Sequence, residues 1–186
     1  MYVFLIFFRL QFSSHSYEYG NSWIYIFLLI LLNTLFIPVL LFYLMRKFEL
    51  IESLHMENRK DRFLPFLVTG IFYLTTGYVL NQAAVFQNLG HVFNFSAILV
   101  FIALITTFFW KISIHSMAMG AMSGFMIYFT RLHFFETPWL AYAALMASGF
   151  VGYARLRLDL HTPAQVYGGF LIGAATFVIT LLWLLN

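Results

Sequence analysis

Six long apolar stretches joined by short polar connections leave this chain few ways to fold. They run from about Trp23 to Tyr43, Phe63 to Leu80, Val92 to Trp110, Ser113 to Phe129, Pro138 to Tyr153 and Pro163 to Leu185. Each lies near the roughly 20 residues that a helix needs to cross a hydrocarbon core, the fifth being short. None shows the two-residue alternation of a barrel strand, and backbone groups in lipid must be satisfied within their own segment. Helices are the form expected. Hydrophobic residues make up 62% of the chain and charged residues 9%, which excludes an ordinary soluble domain. The expectation is an all-α fold: an integral membrane bundle of six helices over residues 22–186, after an N-terminal interfacial segment at 1–21. That segment begins MYVFLIFFRL, too short to span and without the basic start and cleavage site of a secretory signal.

The polar connections fall into two sets. Segments 46–62, 111–115 and 154–162 share one face, because two apolar stretches separate each from the next; segments 81–91 and 131–137 share the other with both termini. The first set holds Arg46, Lys47, Arg59, Lys60, Arg62, Lys111, Arg155 and Arg157, against Arg131 and Arg9 on the second. Positive-inside asymmetry would make the first face cytoplasmic, but cations that bind an anion would produce the same bias, so orientation stays open. The net charge of +3 is spread over short connections and forms no stripe suited to nucleic acid. The absence of cysteine excludes disulfides and thiolate chemistry. Small residues repeat every fourth position at Ser116, Gly120 and Gly124, at Ala144, Ser148 and Gly152, and at Gly169 and Gly173. Such faces let helix backbones approach closely, so the last three stretches are expected to form the tight centre of the bundle.

Chemistry concentrates where two of these helices should begin. From Ala154 the chain reads ARLRLDLHTPAQVYGGF, setting Arg155, Arg157 and His161 at the mouth of an apolar helix. Ionisable groups at membrane depth are costly and call for a functional explanation. Thr162, Pro163 and Gln165 stand where an N-cap, a first-turn proline and the glutamine of a capping box belong. Ser113 and Ser116 are candidate caps for the fourth stretch, with His115 between them. Two helix N-termini on one face, each carrying a histidine, suit an anion, because free N–H groups and helix dipoles both favour negative charge. Arg155 and the cluster Arg59, Lys60 and Arg62 can reach that face, and the planar fork of arginine is suited to phosphate.

These residues resemble the motifs of the type 2 phosphatidic acid phosphatases, the PAP2 group of membrane lipid phosphatases. Their third motif is Ser-Arg, five residues, His, three residues, Asp; here Ala154-Arg155, His161 and Gln165 fall at those spacings, continued by Val166 and Gly169. The second motif, PSGH, is similar to Ile112-Ser113-Ile114-His115, and the resemblance runs from Glu57 to Gly173. The first motif, Lys, six residues, Arg-Pro, is poorly matched: Leu64 precedes Pro65 and Glu57 takes the lysine position, although ENRKDRFLP still offers Arg59, Lys60 and Arg62.

The resemblance implies a two-step phosphoryl transfer on a lipid or prenyl monophosphate or diphosphate, without cofactor or metal, in a multi-pass protein of a bacterial inner membrane. By it, His161 attacks phosphorus, and His115 protonates the leaving alkoxide and then helps water cleave the phosphohistidine. Arg155, Ser113, Lys111, Arg62 and Lys60 would hold the phosphate oxygens. Membrane lipids are the other expected partners; homo-oligomerisation stays open. Gln165 stands where the family has aspartate. An amide oxygen accepts the Nδ1 proton but brings no charge, and in serine proteases the comparable exchange costs about 10⁴ in rate. A weakened phosphatase is therefore expected, with Asp159 able to stand in for the missing carboxylate if its segment is extended. The alternative is a non-catalytic protein that binds or moves lipid phosphates. A zinc site from His115, His161 and Asp159 is a further alternative. His15, His55, His91 and His133 read as loop or interface residues, and Trp23, Trp110, Trp139 and Trp183 as belt aromatics.

Overall fold

The fold is a computed structural model that describes residues 22–53, 58, 60–82, 86–131 and 138–185. The expectations for segment 1–21, Glu57, Arg59, His55 and His133 lie outside the described residues, as do the side chains of Trp23, Arg131 and Trp183. All regular structure among the described residues is helical. Helix α1 comprises Ser22–Leu31, a π-helical turn Leu32–Phe36, and Ile37–Lys47; then come α2 (Lys60–Asn81), α3 (Gln87–Phe109), α4 (Ile114–Arg131), α5 (Trp139–Arg157) and α6 (Pro163–Leu185). Four of these, α1, α2, α3 and α6, are long and apolar enough to cross a membrane. The other two of the expected six spans, α4 and α5, are richer in glycine, serine and alanine.

Helix ends differ from the expected bounds in ways that matter for charge. Helix α2 starts at Lys60, three residues early, so Asp61 and Arg62 lie in its first turn. Helix α5 runs on to Arg157, which places Arg155 in its last turn, where a cation complements the helix dipole. The π turn in α1 has a local cause. Pro38 lacks an N–H and its ring would strike the carbonyl four residues back; the Ile37 N–H bonds Leu32 O instead, absorbing one extra residue. Helices α1 and α5 end alike, with Glu49 at φ 59° and Asp159 at φ 52°. In each, the N–H groups of the left-handed residue and its successor return to the last turn: Glu49 N to Arg46 O and Leu50 N to Met45 O, Asp159 N to Leu156 O and Leu160 N to Arg155 O. The segment at Asp159 is therefore not extended, and the condition under which that carboxylate could replace the missing one is not met.

The expected centre is half right. Helix α4 packs broadly on α6 and on α5, but α5 and α6 touch each other lightly. On the α4–α6 seam a Cβ at Gly120 would strike the carbonyl of Phe170, one at Gly173 the carbonyl of Met117, and one at Gly169 would lie 2.6 Å from Ser113 O. Helix α5 joins through Ser148 Oγ, 2.9 Å from Ser123 Oγ. A second tight pair, α2 with α3, was not anticipated. There Gly77 meets Asn94 and Gly90 meets Asn81, spacings no single helix repeats, so the sequence pattern conceals them. The far end of this pair carries a buried cluster of Leu80, Phe86, Leu89 and Phe93, onto which α1 sets Ile30.

Gly120→Ala and Gly173→Ala should each lower stability by about 1–3 kcal/mol through overpacking at a backbone contact. Gly149→Ala, where an added methyl meets nothing within 4 Å, should be neutral or slightly stabilising. Thermal unfolding in detergent micelles checks both; equal effects at all three positions would contradict the seam.

Candidate functional site

Helices α4 and α6 begin side by side. The backbone N–H of Ser113, just before α4, donates to the carbonyl of Gln165 in the first turn of α6 at 3.2 Å. Each start is capped by its own side chains. Ser113 Oγ accepts the Ser116 N–H at 3.4 Å and the Ser116 hydroxyl at 3.0 Å. Thr162 Oγ1 accepts the Gln165 N–H at 3.4 Å, while Gln165 Oε1 accepts the Thr162 N–H at 3.1 Å. This is the reciprocal capping box the sequence pattern leads one to expect. The extended stretch between α3 and α4 is pinned from two sides. Trp110 lies with its ring over Gly168, where a Cβ would come within 2.6 Å of the indole, so it is a packing residue and no mere belt aromatic. Arg62, 6% exposed, reaches across from α2 to donate to Ile112 O at 3.4 Å.

Both histidines belong to this junction, and their rings share one electrostatic environment. The charges of Arg155, Arg62 and His161 all act on His115, and those of Arg62 and Lys111 act on His161. The structure thus brings together His115, His161, Gln165, Arg155, Arg62 and Lys111. Lys60 goes elsewhere: it is exposed and borders a depression lined by Phe63, Leu104, Thr107 and Phe108. Two residues along a helix turn the side chain well away from Arg62. Ser113 takes a different part from the one expected. Its side chain is wholly buried and committed to capping, so what α4 offers an anion is the N–H groups of its first turn. Among the described residues, no three His, Asp or Glu side chains come together as a metal site would require.

The capping box bears on which nitrogen of His161 holds its proton. A backbone N–H can only donate, so the Gln165 atom facing Thr162 is the amide oxygen. That same oxygen lies 3.2 Å from His161 Nδ1, which must then donate to it. The bond to Gln165 favours the Nδ1–H tautomer of the neutral ring, with the Lys111 carbonyl a second acceptor near it. Burial holds the His161 pKa below the usual histidine value; the hydrogen bond to Gln165 opposes this, the Arg62 charge reinforces it, the Lys111 carbonyl opposes it and the Lys111 charge again lowers it. The ring is consequently neutral at pH 7. An unfolded chain takes up this proton first, so the linked stability is present above the ordinary histidine pKa of about 6.5 and is lost as pH falls below it.

Sequence reasoning missed Asp61. It is 4% exposed, its Oδ1 accepts the Glu52 N–H at 2.9 Å, and its Oδ2 has no hydrogen-bond partner among the described residues. It folds the connection after α1 back onto the start of α2, with Ile51 buried beside it. The available signal was an acidic residue in a helical first turn. Comparison with protein-family models, with curated proteins and with solved structures gives no match.

Nitrogen-15 NMR of labelled histidine should show His161 protonated at Nδ1 and titrating below 6.5. In Gln165→Leu the ring should move toward the Nε2–H form preferred by free imidazole, and loss of the cap should cost about 0.5–2 kcal/mol. An Nε2–H signal in the unaltered protein would contradict the assignment.

Proposed function

We propose that the protein is a six-span, PAP2-like membrane phosphatase that releases phosphate from a lipid or prenyl phosphate through a phosphohistidine. The observation that carries this reading is the hydrogen bond between Ser113 and Gln165, which joins two helix N-termini bearing His115 and His161 in the field of Arg62, Arg155 and Lys111. In this reading His161 Nε2 attacks phosphorus and the P–O bond to the lipid breaks. His115 gives its proton to the departing alkoxide. Water, deprotonated by His115, then attacks the phosphohistidine; inorganic phosphate leaves and His161 is restored. Arg155, Lys111 and the first-turn N–H groups left over from capping, those of Ile114, His115 and Ala164, would stabilise the equatorial oxygens, and buried Arg62 would add charge beneath them. A multi-pass protein of a bacterial inner membrane is the setting the reading implies.

Gln165 supplies the tautomer control that an orienting carboxylate would, without its negative charge. The imidazolium character that His161 gains on attack is then left uncompensated, which accounts for a slow enzyme. The same feature favours the second reading, a protein that binds or moves lipid phosphates without cleaving them.

Purified protein given a panel of lipid and prenyl phosphates should release inorganic phosphate, unaffected by EDTA, and lose at least about 100-fold in rate in His161→Ala and in His115→Ala. Release should be bell-shaped in pH, the acid limb falling below 6.5 as His161 takes up a proton and the alkaline limb falling as His115 loses the proton it donates. Gln165→Asp should raise turnover. Release that survives both histidine substitutions defeats the catalytic reading, and tight binding without release establishes the second one.

A further inference from the structure

Beneath the histidines the helices part around a cavity of about 560 Å³, within the range of ligand pockets. One end of the lining lies next to the site. On α4 it begins at Ile114, the neighbour of His115, and continues through Met117, Ala118, Ala121, Met122 and Phe125, so His115 stands at the edge of the face turned to the cavity. On α2 the lining residues Pro65, Thr69 and Tyr73 follow Arg62 at helical spacing. The third wall comes from α3, through Phe95, Leu99 and Ala103, and Phe42 of α1 closes the outer side. The threonine and serine hydroxyls in this lining are already engaged, Thr69 donating to Pro65 O at 2.7 Å and Ser96 to Val92 O at 2.8 Å, which leaves the Tyr73 hydroxyl as the polar group of the floor. Walls with satisfied polar groups suit an apolar guest and give water few partners.

The deep end is built to stay closed. Phe95 and Phe125 both set their edges against Phe177 of α6, with ring centroids 5.4 and 5.9 Å away. Tyr73 meets Phe93 at 5.9 Å and rests on the buried cluster at the far end of α2 and α3. From Ile114 to Phe125 the α4 wall is about 16 Å long at 1.5 Å per residue. That is close to the ~15 Å that one leaflet contributes to a hydrocarbon core.

We propose that this cavity takes one hydrocarbon chain of the lipid phosphate, and that its floor of Tyr73, Phe95 and Phe125 limits the chain length the protein accepts. The proposal rests on phosphate occupying the histidine site, since the lining that begins at Ile114, beside His115, and the α2 stripe that follows Arg62 then lead the attached chain inward. A single-chain phosphate fits whole; the second chain of a glycerolipid would remain among the surrounding lipids.

Two measurements on the full chain in lipid nanodiscs test this. Dodecyl phosphate carrying a diazirine at its far end should label Phe95, Met122 or Phe125. Labelling confined to outward residues such as Phe150 and Leu171 overturns the proposal. This readout needs no turnover, so if no alkyl phosphate is hydrolysed the phosphatase reading falls while the cavity is still decided. The second compares butyl with dodecyl phosphate in Ala118→Phe, which narrows the cavity partway along its length. kcat/KM should fall at least about tenfold for dodecyl, the worth of roughly two methylenes kept from burial, and hold for butyl. Phe125→Ala should shift preference toward longer chains. Equal effects on both substrates, or an unchanged chain-length profile, overturn the proposal.

Discussion

The close approach of α4 and α6 is the constraint on which the rest of the molecule depends. Without side chains at Gly120, Gly169 and Gly173, the two backbones come near enough for the Ser113 N–H to reach Gln165 O. That bond places one helix start against the other, and with them two histidines that stand 46 residues apart in the chain. The histidines cannot be moved independently, because each sits within two residues of a cap that also holds the seam. Packing and candidate chemistry thus share the same atoms.

Gln165 is where this coupling is tightest. Its backbone carbonyl accepts from Ser113, its backbone N–H donates to Thr162 Oγ1, and its amide oxygen serves both the Thr162 N–H and His161 Nδ1. A carboxylate here could make the same contacts and add a charge. The amide makes them without adding negative charge beside Arg62 and Lys111, which suits an anion in the site better than a cation on the ring. The candidate site gathers cationic side chains. It is also half-shielded, since Arg62 and Ser113 are buried beneath it while His115 remains exposed. In the proposed reading, charge gathered over an apolar cavity takes an amphiphile with a phosphate head, and neither part of the arrangement alone would distinguish such a ligand from free phosphate or plain hydrocarbon.

Much of this was legible in the residues. Apolar length and the absence of two-residue alternation determined helices, and the Thr162–Gln165 pattern determined a capping box, because both are local consequences of backbone hydrogen bonding. The small-residue repeats on α4, α5 and α6 marked real contact faces for the same reason. Pairs such as Gly77 with Gly90 left no such trace, since their contact spans two helices with unrelated numbering.

Tertiary structure alone decided the rest. Lys60 and Arg62 are equivalent as text, yet one faces a depression beside Phe63 and the other is buried against Ile112, because helical rotation separates near neighbours in sequence. Asp159 read as a spare carboxylate until its left-handed backbone turned it out of α5. Trp110 read as an interfacial aromatic until Gly168 gave its ring a place to lie. The proton position on His161 depends on an amide whose direction is set by a third residue. Local rules act through the backbone and can be read from order, whereas direction, burial and enclosed space arise between segments and exist only once those segments meet.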